Sequence, residues 1–189
     1  VKDVGDTFRV TMPTPHNILA RWDTNNVFHA MDMLQFHFHS PSDHTFNGEH
    51  YDLELHIVSQ DFKDPLLSVT AIFFDTVKGG TANNDFLDKW LLTGSSKTKD
   101  IPKLDLETLL DNLSRAELYS YQGSLTSPPC SENVTWIITT QVLNIAPSQL
   151  AAFRARFKNN IDFANGNGNN RLTQPLLSRT IYFKLSSSA

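Results

Sequence analysis

The sequence predicts a mixed, β-dominated (α+β) protein: one domain with a mostly antiparallel sheet and short helices at its periphery. Three observations carry this expectation. Several stretches alternate apolar and polar residues with the two-residue period of a half-buried strand. Asn47-Gly48 is a tight-turn signal between two of them. Helical spacing is clear in only two segments. A chain of 189 residues can form one domain that buries roughly 70% of the surface exposed when unfolded.

Strands are expected over residues 7–12 (TFRVTM), 33–39 (MLQFHFH), 52–58 (DLELHIV) and 67–74 (LSVTAIFF). Later candidates are 117–122 (ELYSYQ), 134–140 (VTWIITT) and 180–184 (TIYFK). The 67–74 stretch is mostly apolar, as a strand covered on both faces should be. In 84–93, Phe86, Trp90 and Leu91 repeat at helical spacing. In 147–158, Leu150, Phe153 and Phe157 share a stripe behind Pro147, a residue suited to a first helical turn. A weaker helical pattern covers 105–113. Residues 165–170 (NGNGNN) read as a polar loop, and the SSSA end should fray.

A formal charge of −4 gives no support for a nucleic-acid partner. Apolar runs are too short for a transmembrane segment. The start, VKDVGDTF, has neither an initiator Met nor an apolar signal core, so any targeting segment is expected to have been removed or never included. The single cysteine, Cys130, has no intrachain disulfide partner.

Strand alternation places Gln35, His37 and His39 on one face, opposite Leu34, Phe36 and Phe38. Glu54, His56 and Val58 likewise share a face opposite Leu53, Leu55 and Ile57. Two neighbouring strands could therefore bring three imidazoles to one point. Three neutral imidazoles with an open fourth position form the ligand set of a catalytic zinc. Gln35 and Glu54 stand where groups that orient ligand imidazoles belong. An HxH pair alone is weak evidence, and histidines that only hydrogen-bond on a half-buried sheet remain the competing reading. His44 falls in the turn region. His16, His29 and His50 read as surface residues. A second segment, Tyr119–Trp136 (YSYQGSLTSPPCSENVTW), places the hydroxyls of Thr126 and Ser127 in a loop constrained by Pro128-Pro129.

Taken together, QFHFHSPSDHTFNGEHYDLELHIVS (35–59), YSYQGSLTSPPCSENVTW (119–136) and NNRLTQPLLSR (169–179) resemble the α-class carbonic anhydrases, in particular the compact plant, algal and bacterial members. The resemblance runs from about Gly5 to Lys184. It implies a single domain over residues 1–189, built around a large, twisted, mostly antiparallel sheet. It also implies Zn2+ held by His37, His39 and His56, with Gln35 and Glu54 orienting His37 and His56. Thr126 resembles the gatekeeper threonine, and Ser127 stands at a small-residue position beside it. Val58, Val69, Leu125, Val134 and Trp136 match the apolar wall that holds carbon dioxide. Asn169 and Arg171 match positions that support the site from the C-terminal loop. The implied reaction is reversible hydration of carbon dioxide to bicarbonate by zinc-bound hydroxide. Sulfonamide-type inhibitors are expected to bind, and the family's habit implies an extracytosolic location.

Three departures from the family pattern shape the expectations. The carboxylate that accepts from the gatekeeper is Glu in the family; here Asp43, in SDHT, is one methylene shorter, which predicts reduced hydration. Asp6 stands at the shuttle-histidine position, and a carboxyl near its ordinary pKa of ~3.9 is poorly matched to relaying protons at pH 7. The family's N-terminal segment has no counterpart here, so the domain reads as truncated. Cys130 then resembles half of a disulfide whose partner lies in an N-terminal fragment or another chain. These departures support an alternative function, a carbonic-anhydrase-like structural or binding protein with weak or no catalysis.

Overall fold

Alternation along two adjacent strands sets the architecture. The structure, a computed structural model, describes residues 2–3, 8–12, 18–22, 28–92, 106, 109–110, 116–158 and 168–185. Its strands are β1 (Lys2–Asp3), β2 (Phe8–Thr11), β3 (Ile18–Trp22), β4 (Phe28–His39), β5 (Thr45–Phe46), β6 (Glu49–His50), β7 (Leu53–Asp61), β8 (Leu67–Phe74), β9 (Leu118–Ser124), β10 (Glu132–Leu143) and β11 (Tyr182–Lys184). Its helices are α1 (Asp85–Leu92) and α2 (Pro147–Phe157). Among the described residues the main sheet runs β1-β2-β4-β7-β8-β10-β9-β11, with β3 paired to β4. Every pairing is antiparallel except β8 with β10. The β-dominated, mostly antiparallel expectation therefore holds.

The 67–74 strand agrees with its expected bounds, and the other expected strands form with shifted ends. The short strands β1, β3, β5 and β6 were not anticipated. Asn47 and Gly48 both take positive φ (54° and 83°), as a two-residue hairpin between β5 and β6 requires. Of the 105–113 helix pattern, only Leu106, Leu109 and Leu110 are described, all helical. Residues 165–167, the terminal SSSA, His16 and Asp6 lie outside the described residues.

One detail corrects the strict alternation read in 33–39. The β4–β7 register shifts between Met33 and Gln35, a bulge that absorbs Leu34. Met33 is thereby carried into the same core as Phe36 and Phe38, whereas unbroken alternation would put it beside the histidines.

The sheet separates two apolar clusters. On one face, Phe36, Phe38, Leu53, Leu55, Ile57, Ile72 and Phe74 pack under α1 and α2. Phe38 meets Trp90 of α1 at 4.8 Å and Phe153 of α2 at 4.9 Å between ring centroids, and Trp90 stacks on Phe153. The two helices are also tied by Gln149, whose Nε2 amide donates to Asn84 O while its Oε1 accepts from the N–H groups of Asn84 and Ala146. The opposite face carries Val58, Val69, Ala71, Phe73, Val134, Trp136 and Ile138.

Phe38 lies between His37 and His39 and is fully buried. Replacing it (Phe38→Ala) should cost about 3–5 kcal/mol of stability, the range for truncating a buried aromatic ring. Urea denaturation followed by fluorescence checks this, and a loss below about 1 kcal/mol would show that the core does not depend on it.

Candidate metal centre

Register, rather than sequence proximity, assembles the site. His37 on β4 is the direct cross-strand partner of His56 on β7, and His39 pairs with Glu54. The His37–His56 row continues through Ala71 and Ile138. The adjoining row reads Gln35, Val58, Val69, Trp136 and Tyr121. Three imidazoles and an apolar wall thus lie side by side on one face. Leu125 packs against the same cluster as Val58, Val69, Val134 and Trp136.

Ring hydrogen bonds select the basic nitrogen of each imidazole. His37 Nδ1–H donates to Gln35 Oε1 at 2.8 Å, and His39 Nδ1–H donates to the carbonyl of Asn169 at 2.9 Å. His56 Nε2–H donates to Glu54 Oε1 at 2.6 Å. The basic nitrogens are therefore Nε2, Nε2 and Nδ1. One ring nitrogen from each histidine lies within 4.8 Å of the others. His39 Nε2 is buried and has no hydrogen-bond partner among the described residues. A buried base nitrogen without a donor is costly unless something else fills that role. This donor set fits zinc: neutral imidazoles, each fixed from behind.

Glu54 is fully buried and anchors a longer chain of contacts. It accepts from His56 Nε2–H and His44 Nδ1–H at 2.6 Å each, and from the His44 backbone N–H at 2.9 Å. His44 Nε2 in turn accepts from the Tyr121 hydroxyl at 2.7 Å. Burial pushes the Glu54 carboxyl pKa up, but the charges and hydrogen bonds of His44 and His56 outweigh it and hold Glu54 well below the carboxylate range. Burial lowers His56 below the ordinary imidazole value. Burial also opposes the charge on His44, yet Glu54 raises it overall. Burial, reinforced by Glu54, raises Tyr121. Sequence reading had left His44 in a turn and given Tyr121 no role. The usable signals were the position of His44 beside Asp43 and that of Tyr121 opposite Trp136.

The C-terminal loop closes the site from 130 residues away in sequence. Besides taking the His39 N–H on its carbonyl, Asn169 donates through Nδ2 to Phe38 O and accepts at Oδ1 from Ser40 N–H, both at 2.9 Å. A Cβ at Gly168 would lie 2.3 Å from Ser40 O, so only glycine permits this approach. The Arg171 backbone N–H donates to Asp43 Oδ1 at 2.6 Å, and its Nη1 donates to Ser124 Oγ and Leu125 O. Asp43 Oδ2 is buried without a hydrogen-bond partner among the described residues, 3.5 Å from His39 Nδ1 and 4.0 Å from His56 Nε2. Thr126 lines a cleft with Asp43 but does not donate to that oxygen. Ser127 lies in the adjoining turn, its carbonyl accepting from Cys130 N–H at 2.9 Å. Cys130 is a half-buried free thiol.

One histidine needs correction. His29 is not a free surface residue: it is half-buried and donates to Asp61 Oδ2 at 2.5 Å. His50 is exposed, as expected, but its Nδ1–H donates to Ser42 O.

Comparison with known proteins assigns this geometry. The sequence profile described as eukaryotic-type carbonic anhydrase matches residues 1–185. The chain belongs to that family. It is 34% identical over 152 residues to a carbonic anhydrase of Klebsiella pneumoniae, covering 79% of this chain and 56% of that protein. It is 32% identical over 153 residues to dioscorin DB3L of Dioscorea polystachya, covering 80% and 54%. Among solved structures, α-carbonic anhydrase from Thermovibrio ammonificans in complex with sulfanilamide is 32% identical with a TM-score of 0.74, covering 95% of this chain and 72% of that one. The chain spans about half the length of the curated relatives it matches.

If Gln35 orients His37, Gln35→Leu should weaken zinc binding about 10- to 100-fold, the usual cost of losing such a group. Competition against a chromogenic chelator measures it, and unchanged affinity would remove Gln35 from this role.

Proposed function

We propose that this carbonic-anhydrase-family chain catalyses the reversible hydration of carbon dioxide to bicarbonate and a proton, with Zn2+ as its metal. The observation that carries the reading is the convergence of three oriented imidazoles beside an apolar wall. His37, His39 and His56 would hold the ion. When bound, zinc lowers the pKa of water to about 7, a value for which carbonic anhydrase is the standard example.

The chain's own groups supply the rest. Gln35, Asn169 and Glu54 keep the imidazoles in the ligating tautomers. Val58, Val69, Leu125, Val134 and Trp136 offer an uncharged, nonpolar substrate a dry surface. Thr126 would orient the attacking oxygen, which requires that its own proton be directed to an acceptor. Asp43 is the carboxylate at the acceptor position, and its Oδ2 has no hydrogen-bond partner among the described residues, Thr126 included. Loss of that alignment lowers the rate without touching metal binding.

The Asp43 oxygen without a partner among the described residues also favours a second reading: a carbonic-anhydrase-like structural or binding protein. Zinc analysis and stopped-flow carbon dioxide hydration separate the two. Near-stoichiometric zinc with hydration blocked by a sulfonamide supports the enzyme; stoichiometric zinc without hydration supports the binding role. In the first case Asp43→Glu should raise kcat/KM about 10- to 100-fold, since errors near 1 Å in positioning cost that order. No gain would show that the Asp43–Thr126 alignment does not limit the rate.

A further inference from the structure

Asn133-Val134-Thr135 has the spacing of an N-glycosylation acceptor, an asparagine followed two residues later by a hydroxyl residue with no proline between them. Neither Asn133 nor Thr135 takes part in the proposed hydration. A glycan is bulky and has to stand in solvent, which a residue paired within a sheet does not allow. Here the backbone provides the room. Strand β10 pairs with β9 at Glu132↔Ser124 and again at Val134↔Gly123, so two residues of β10 advance against one of β9. Asn133 is the residue left unpaired, in a bulge. Its φ of 66° lies in the left-handed region, which asparagine tolerates better than most side chains. Asn133 is exposed, and its side chain makes no hydrogen bond among the described residues. Ser131 and Glu132 before it are exposed as well, whereas Val134 after it is fully buried in the apolar wall. The bulge therefore presents the Asn133 amide to solvent at the end of β10 without disturbing the wall. Thr135 is buried, its hydroxyl accepting from Gln122 Nε2 at 3.0 Å. That burial is no obstacle, because the sugar is attached to the chain before it folds.

We propose that Asn133 is an acceptor for an N-linked glycan, added as the chain enters a secretory compartment. The co-reactant is a lipid-linked oligosaccharide diphosphate. The side-chain amide nitrogen of Asn133 attacks the anomeric carbon of the first sugar. A C–N bond forms, the C–O bond to the diphosphate breaks, and the lipid diphosphate leaves with the electron pair. The amide gives up one proton to a base, and nothing is oxidised or reduced. The folded chain then carries the glycan on the bulge, beside the exposed turn that joins β9 to β10. A second tripeptide of the same form, Asn112-Leu113-Ser114, lies outside the described residues.

The test secretes the 189-residue chain from yeast behind a cleavable leader and maps its peptides by mass spectrometry, with and without peptide N-glycosidase. In the soluble, folded fraction the peptide that contains Asn133 is expected to carry glycan, and to be deamidated at that position once the glycosidase has removed it. Asn133→Gly suits the positive φ, so it should lose the glycan here and keep the circular dichroism spectrum. Thr135→Val should also lose the glycan, and Thr135→Ser, which keeps the hydroxyl, should retain it. Two outcomes would overturn the proposal. Asn133 unmodified in the folded fraction, whether or not Asn112 carries sugar, would leave the backbone conformation as the only reason for asparagine there. Glycan on Asn133 confined to aggregated material would show that the bulge does not accommodate it. Neither readout depends on zinc or on hydration, so failure here leaves the proposed activity standing.

Discussion

The cross-strand pairing of His37 with His56 is the constraint on which the rest of the structure depends. Side chains alternate along a strand, so a slip of one residue between β4 and β7 would turn every imidazole to the opposite face. The same slip would expose Phe36, Phe38, Leu55 and Ile57, all of which are fully buried. Core and site therefore enforce the same register. The apolar face holds the pairing in place by burial of large side chains, and the imidazoles inherit their positions from it. This explains why imidazoles from separate strands can be brought together without a local motif joining them.

A second constraint acts within that register. Glu54 is a carboxylate with no exposed surface, a state that is expensive unless every lone pair is engaged. Two imidazole N–H groups and a backbone N–H engage it. Removing one donor would leave a buried charge short of a partner, which costs more than the hydrogen bond itself contributes. His44 and His56 are consequently held as a pair, and Tyr121 is drawn in at the far side of His44. Rigidity at His56 comes from this buried charge, whereas His39 is fixed by a distant backbone carbonyl and His37 by a neighbour on its own strand.

Much of this was legible in the sequence where the signal is local. Period-two alternation placed Gln35, His37, His39, Glu54, His56 and Val58 on their faces, and Asn47-Gly48 marked its hairpin. The bulge at Leu34 was not legible, because an alternating string carries no mark of where one residue is left unpaired. Nor was the parallel pairing of β8 with β10, which brings Val69 next to Trp136 across a long separation in sequence. His44 and His29 were undervalued for a related reason. Each acquires its role from a carboxylate on β7, Glu54 or Asp61, and that proximity exists only after the sheet has formed. The support from Asn169 and Arg171 was visible only through resemblance to a family, since nothing in NNRL by itself points to β4.

Asp43 shows how such a site can be altered in parts. Its two oxygens have different fates: Oδ1 is tied to the Arg171 backbone, and Oδ2 is buried and uncapped among the described residues. Neither oxygen belongs to the hydrogen bonds that set the tautomers of His37, His39 and His56. The groups that orient the three imidazoles and the carboxylate of Asp43 are thus physically separable, although both are supported from the 168–171 loop. A one-methylene change at position 43 can alter the second while the first stays intact. A scaffold divided in this way could hold its three imidazoles in place while the groups around Asp43 change. The stable part is the one enforced by the sheet register; the adjustable part hangs on a single side chain in the loop after β4.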